Sequence, residues 1–175
     1  MSSTLSAALK KENLPAGATA LGDLLSTNMT FTCIATGSTA RTLKESTSPL
    51  GQSLWKRISD AGALVSSNNE GIERVKATPT VLVTEHSYME YLAGFDCQLA
   101  VLPDTSGLSN IQYGIAVQKS SPWLAPFNEA IKQLKAEGKL TELRKKYWKN
   151  QCVVWNLFSC TDYFNVSFKF WLLYL

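Results

Sequence analysis

Two short stretches of this 175-residue chain carry side chains able to recognise a charged ligand. The first is Gly37-Ser38-Thr39, a turn between a β-branched run at 31–36 and a helix-compatible stretch at 40–45. Amides at the start of a helix lack intrahelical acceptors, and the positive end of the helix dipole favours an anion there. Gly37 lets a ligand approach the backbone, and the hydroxyls of Ser38 and Thr39 can donate to a carboxylate. The same residues also suit an ordinary N-cap. A P-loop is excluded, because its second glycine and its lysine are absent.

The second stretch is Glu85, directly after the run Thr80-Val81-Leu82-Val83-Thr84. In open α/β sheets, ligands bind outside the carboxyl ends of the strands. A carboxylate there suits a ligand ammonium through a charge-assisted hydrogen bond. The alternative is a solvated glutamate opening the next helix, favoured by the dipole. His86 has no serine or cysteine nucleophile to pair with, so hydrolysis lacks support.

The elements that must position these residues follow from periodicity and turn signals. A short helix is expected around Leu21-Gly22-Asp23-Leu24-Leu25, then a strand at 31–36 and helices at 40–45 and 50–63. A short helix at 70–75 precedes the run at 80–84, which reads as a strand buried on both faces. A helix at 86–94 and strands at 99–102 and 112–117 follow. Ser121-Pro122 is a helix start, with serine as N-cap and proline at the first helical position. Leu124, Phe127, Ile131 and Leu134 then recur at helical spacing until Gly138. A last helix carries Leu140, Leu143 and Tyr147. Strands alternating with helices predict an α/β lobe with a mostly parallel sheet flanked by helices.

Composition narrows the function classes. With 45% hydrophobic residues and only 16 Gly plus Pro, wholesale disorder and collagen-like structure are excluded. A net charge of +3 is too small to point to nucleic acid. The basic cluster Arg144-Lys145-Lys146-Lys149 reads as a solvated helix face. One histidine and four cysteines, with no CxxC or HxxxH pair, speak against a metal site, and no cofactor is expected. Sequons stand at Asn28-Met29-Thr30 and Asn165-Val166-Ser167. Lys10-Lys11 follows the apolar stretch at 5–9 rather than preceding it, unlike a secretory signal.

In order and spacing, these pieces resemble the second ligand-binding segment of ionotropic glutamate receptors. The matching residues are Gly37-Ser38-Thr39, Trp55, Asn69-Glu70-Gly71-Ile72-Glu73-Arg74-Val75 and Glu85 six residues before Tyr91. Beyond Cys97 come Tyr113-Gly114-Ile115-Ala116 and Lys119-Ser120-Ser121-Pro122. Leu134, Gly138, Leu140, Leu143, Lys146, Tyr147-Trp148 and Cys152 complete the match. The start, Thr4-Leu5-Ser6-Ala7-Ala8-Leu9, looks like a degraded end of the family's third membrane segment.

The resemblance implies the lower lobe of a periplasmic-binding-protein-like (type II) clamshell at residues 16–152. Residues 1–15 are then a membrane-segment remnant and linker. Ser38 and Thr39 are expected on ligand carboxylates and Glu85 on the α-ammonium, with Gly37 and Tyr113 supporting the site from beneath. Cys97 and Cys152 occupy the positions of the family's disulfide, which implies an oxidising extracellular setting and gives the Asn28 sequon meaning as a glycosylation site. The implied protein is a ligand-gated ion channel in the plasma membrane. Its ligand is an amino acid of the glutamate or glycine class, and its partners are an upper lobe, pore segments and the other subunits of a tetramer. The upper lobe with its carboxylate-clamping arginine and the pore are missing from this chain. Asn68 replaces a hydroxyl residue common in many members.

At 153–175, 16 of 23 residues are apolar, long enough to span a bilayer. Asp162 near the midplane would cost about 2.5 to 3.5 kcal/mol, and Lys169 interrupts the second half, so an atypical fourth membrane segment or a truncated end is expected. The alternatives are a soluble amino-acid-binding protein of the same fold and a non-conducting receptor product.

Overall fold

The computed structural model describes residues 2–108 and 111–152. Expectations for the tail at 153–175 and the second sequon lie outside the described residues.

The strands are β1 (Ser2–Ser3), β2 (Leu5–Lys10), β3 (Thr30–Thr32), β4 (Thr80–Glu85), β5 (Leu99–Pro103) and β6 (Ile111–Gln112). The helices are α1 (Ser38–Lys44), α2 (Pro49–Asp60), α3 (Asn68–Ala77), α4 (His86–Ala93), α5 (Leu124–Ala136) and α6 (Lys139–Tyr147). A four-stranded sheet in the order β3-β4-β2-β5 forms the centre, and β1 pairs with β6 apart from it. The mixed α/β class agrees with expectation, but the strand directions correct it. β3 and β4 run parallel, with Thr30 opposite Thr80, whereas β2 runs antiparallel to both β4 and β5. Strand-helix alternation forecasts parallel neighbours only for strands joined by crossovers. β2 precedes every helix and enters the sheet in the opposite direction.

Residues 5–10, expected ahead of the lobe, thus supply the strand at its middle. The Leu-Ser-Ala-Ala-Leu run is fully buried on both faces. Leu5, Ala7 and Leu9 join a core with Phe31, Leu43, Leu54, Ile58, Val81 and Val83, beneath α1 and α2. Ala8 faces the opposite core, where Val75, Leu82, Met89 and Leu99 meet under α3 and α4. Alternation along β4 therefore divides its side chains between two helical layers, as period two requires.

Local signals fix the helix starts. The Ser48 hydroxyl accepts from the Gly51 amide with Pro49 at the first helical position of α2. The Ser67 hydroxyl accepts from the Glu70 amide at the start of α3. A Cβ on Gly71 would stand 2.8 Å from Leu82 Cδ1, so glycine lets α3 lie close on the sheet. Cys33 is a buried thiol, and burial pushes its pKa up to about 11.

Several boundaries differ from expectation: the strand expected at 31–36 ends at Thr32, α1 starts at Ser38 instead of 40, and α3 extends over Asn68–Ala77 beyond the expected 70–75. The strand forecast at 112–117 shrinks to β6, and Tyr113 and Ile115 are exposed beyond it with no strand partner. α5 begins at Leu124 rather than at Pro122, because the Ser121 hydroxyl accepts from the Trp123 amide and closes a turn ahead of the helix. α5 and α6 contribute no buried residue.

Candidate functional site

Parallel pairing decides which ends meet. Because β3 and β4 point the same way, the Gly37 turn after β3 and Glu85 at the end of β4 lie at the carboxyl edge of the sheet, and α1 packs against β4. Asn68, at the start of α3, joins this edge within hydrogen-bonding distance of Thr84, 3.4 Å between Oγ1 and Oδ1.

At the anion candidate, Gly37 is the N-cap of α1 and offers no side-chain cap. The first-turn amides are therefore left to solvent or a ligand. Ser38 is exposed beside them, whereas Thr39 is buried at 8% exposure. The N-cap reading thus applies to Gly37 alone.

At the cation candidate, Glu85 is the N-cap of α4, yet its carboxylate makes no cap hydrogen bond. It is half-buried, and its carboxylate has no hydrogen bond or ion pair among the described residues. It borders a groove of about 560 Å³. Ser87, Tyr88 and Tyr91 enter from α4, Tyr113 from the segment after β6, and Arg144 and Trp148 from α6 and its end. Tyr113, at 49% exposure, forms part of the groove wall. Ser38 and Thr39 do not line this groove among the described residues.

The groove's far wall is held by long-range contacts. Arg144 of α6 bonds to Glu90 of α4. The indole Nε1 of Trp148 donates to the Ser87 carbonyl at 3.3 Å, and Trp148 meets Tyr91 edge-to-face at 5.7 Å. The Gln151 amide donates to the Gly94 carbonyl at 2.8 Å. The Cys97–Cys152 disulfide, with Cα atoms 5.2 Å apart, ties this end of the chain to the turn after α4. A loop this long would contribute about 4 kcal/mol on the chain-entropy model. His86 is half-buried with Nδ1 enclosed and unpartnered among the described residues.

From the sequence, Tyr91 and Trp148 stand out only within the family resemblance, Tyr88 is unmarked in the helix at 86–94, and Arg144 reads as part of a solvated face. The three-residue steps from Glu85 to Tyr88 to Tyr91 were a usable signal for one wall. Trp148 could be placed through Cys152, four residues on. Nothing local marks Arg144, whose partner Glu90 is 54 residues away. Asn28 and Thr30 of the first sequon are both exposed.

Comparison with known proteins adds a second line. No family model matches the chain. It is 34% identical over 132 residues, 73% of its length, to the Caenorhabditis elegans protein named glutamate receptor ionotropic, kainate glr-3. It is 32% identical over 72% of its length to glutamate receptor ionotropic, kainate 1 of Rattus norvegicus. It is 30% identical over 70% of its length to a probable glutamate receptor of Lithobates berlandieri. The chain spans only 15%, 13% and 25% of those relatives. The solved Drosophila muscle GluRIIB complex with glutamate matches 86% of this chain at a TM-score of 0.70 and 24% identity, with 60% of that chain covered. That likeness fixes the fold as the type II periplasmic-binding-protein-like class.

Proposed function

We propose a function on the premise that this chain is a homologue of the ionotropic glutamate receptors, related to them across about three quarters of its length. It is the lower lobe of their ligand-binding clamshell, and it binds one side of an amino-acid ligand. Glu85 takes the α-ammonium, and Ser38 and Thr39 take carboxylate oxygens through hydroxyls and helix-start amides. The role is binding, with no bond made or broken. In the complete receptor a ligand bridging both lobes favours the closed cleft, and closure pulls on the pore.

The observation that carries this reading is the Glu85 carboxylate, half-buried at a strand end and left without a polar partner among the described residues. A solvated helix-opening glutamate has no reason to border a groove. The parallel β3–β4 pair sets the Gly37 turn on the same sheet edge, so both charges of an amino acid find recognition there.

Two further observations support an incomplete domain. The Drosophila chain extends well beyond the 60% covered here, which leaves room for a second lobe. α5 exposes Leu124, Phe127, Ile131 and Leu134 along one face, the kind of apolar stripe that a neighbouring lobe covers. The disulfide and the exposed Asn28 sequon support an extracellular lobe carrying a glycan at Asn28. A plasma-membrane, tetrameric receptor follows from the family. Among the described residues no helix is long and apolar enough to cross a membrane.

The test is a chimera in which residues 2–152 replace the matching segment of the worm relative. An amino-acid agonist should evoke current, and Glu85→Gln should raise its half-maximal concentration by at least about tenfold, because the ammonium loses its counter-charge. An unchanged dose-response curve would remove Glu85 from the site. By itself the chain should bind glutamate or glycine negligibly in calorimetry, and a micromolar constant would refute the half-site reading.

A further inference from the structure

The groove beside Glu85 has more aromatic wall than an acidic amino acid needs. Tyr88, Tyr91, Tyr113 and Trp148 line the same groove as the unpartnered carboxylate. Aromatic faces carry negative potential and attract cations, and a full carboxylate charge adds to that attraction. The rings are preorganised. Tyr91 lies tilted on Phe95 at 5.1 Å and edge-to-face with Trp148, whose indole is fixed on the Ser87 carbonyl. Rings held in place lose little freedom when a ligand arrives. The volume of about 560 Å³ suits a small organic molecule.

The cation among the described lining residues, Arg144, is already bonded to Glu90. A side-chain carboxylate entering the groove therefore meets the Glu85 carboxylate and four aromatic side chains, while the Arg144 guanidinium is engaged by Glu90. Like charge at close range disfavours it. An apolar body meets no such obstacle.

We infer that this groove selects an aryl-alkyl ammonium ligand, with the ammonium on Glu85 and the aromatic body against Tyr91 and Trp148. The inference rests on the proposed function only in placing an ammonium on Glu85, and it adds the chemical class of what is attached.

The experiment is saturation-transfer NMR on the full chain titrated with 2-phenylethylammonium, 2-phenylethanol, glycine and glutamate. 2-Phenylethylammonium should bind in the millimolar range or tighter, and at least about tenfold tighter than 2-phenylethanol, which keeps the ring and lacks the charge. Glu85→Gln should weaken it by about tenfold or more, and Tyr91→Leu, which keeps apolar area without a ring face, by about threefold to tenfold. Equal binding of phenylethanol, no effect of Tyr91→Leu, or no saturation transfer from 2-phenylethylammonium would overturn the inference. Glutamate binding more tightly than 2-phenylethylammonium, and losing affinity in Glu85→Gln, would overturn the aromatic class while leaving Glu85 as an ammonium site. Amine binding indifferent to Glu85→Gln would remove both.

Discussion

α2 and α5 are amphipathic helices of almost equal length, 12 and 13 residues, and they end in opposite environments. α2 buries Gly51, Leu54 and Ile58 completely or nearly so against the sheet. α5 leaves Leu124, Phe127, Ile131 and Leu134 between 36% and 51% exposed, touching chiefly α6. Periodicity commits a segment to being a helix with an apolar side. It does not state whether that side has anything to lie on. In the sheet lobe the surface is present, because β2 fills the centre and presents both faces. In the α5–α6 arm the anchoring comes instead from the arm's far end, where Arg144, Trp148 and Cys152 return to α4 and its following turn.

The contrast can be broken most sharply by paired truncations. Ile58→Ala removes a fully buried side chain and should cost about 2 to 5 kcal/mol in urea unfolding. Ile131→Ala on the open stripe should cost less than about 1 kcal/mol, since most of its cavity is already solvent. Equal losses would mean that the α5 face is covered in solution.

The next effect down is that of the tether. Replacing Cys97 and Cys152 together by serine should cost about 2 to 4 kcal/mol. Hydrogen exchange should accelerate first in α6 and only later in β2 and β4. Uniform acceleration would show that arm and sheet unfold as one unit.

Gly94 sharpens the same boundary. A Cβ there would stand 2.7 Å from the Lys149 carbonyl oxygen, where the arm's backbone passes the end of α4. Gly94→Ala should destabilise by about 1 to 3 kcal/mol and loosen the Trp148–Tyr91 contact. Unaltered tryptophan emission and stability would remove this close approach from the tether.

The smallest effect belongs to the exposed Glu70 in the sheet lobe. Hydrogen bonds from the Ser66 amide and then its hydroxyl hold the Glu70 carboxyl below its ordinary range, and Arg74 contributes less. A depressed folded pKa gives stability that is present above the ordinary carboxylate pKa and lost as pH falls through the folded value. Glu70→Gln should flatten that acid limb slightly in thermal scans between pH 5 and roughly 2, with no change at pH 7 beyond loss of the cap. An unchanged acid limb would show that the group titrates alike in both states.

Much of the lobe was legible because its signals are local. The strand at 80–84, the helices after Pro49 and Ser67, and the Gly138 break follow from β-branched runs, capping hydroxyls and a left-handed glycine with φ of 72°. Strand direction was not legible, since the antiparallel entry of β2 depends on partners 74 to 97 residues away. The 113–117 stretch has strand-like residues but no strand partner among the described residues.

The candidate site divides in the same way. Sequence alone determined residue types at two loop positions, a glycine-hydroxyl turn and a carboxylate after a buried strand, because such chemistry is written within three or four adjacent residues. Only the tertiary structure decided that these positions share a sheet edge, that Glu85 spends no bond on capping α4, and that Tyr91, Arg144 and Trp148 stand beside it. Those facts depend on strand direction and on a disulfide closing across 55 residues. Periodicity in a sequence reports the shape of an element, and contacts between distant elements are settled by which surfaces are there to be buried.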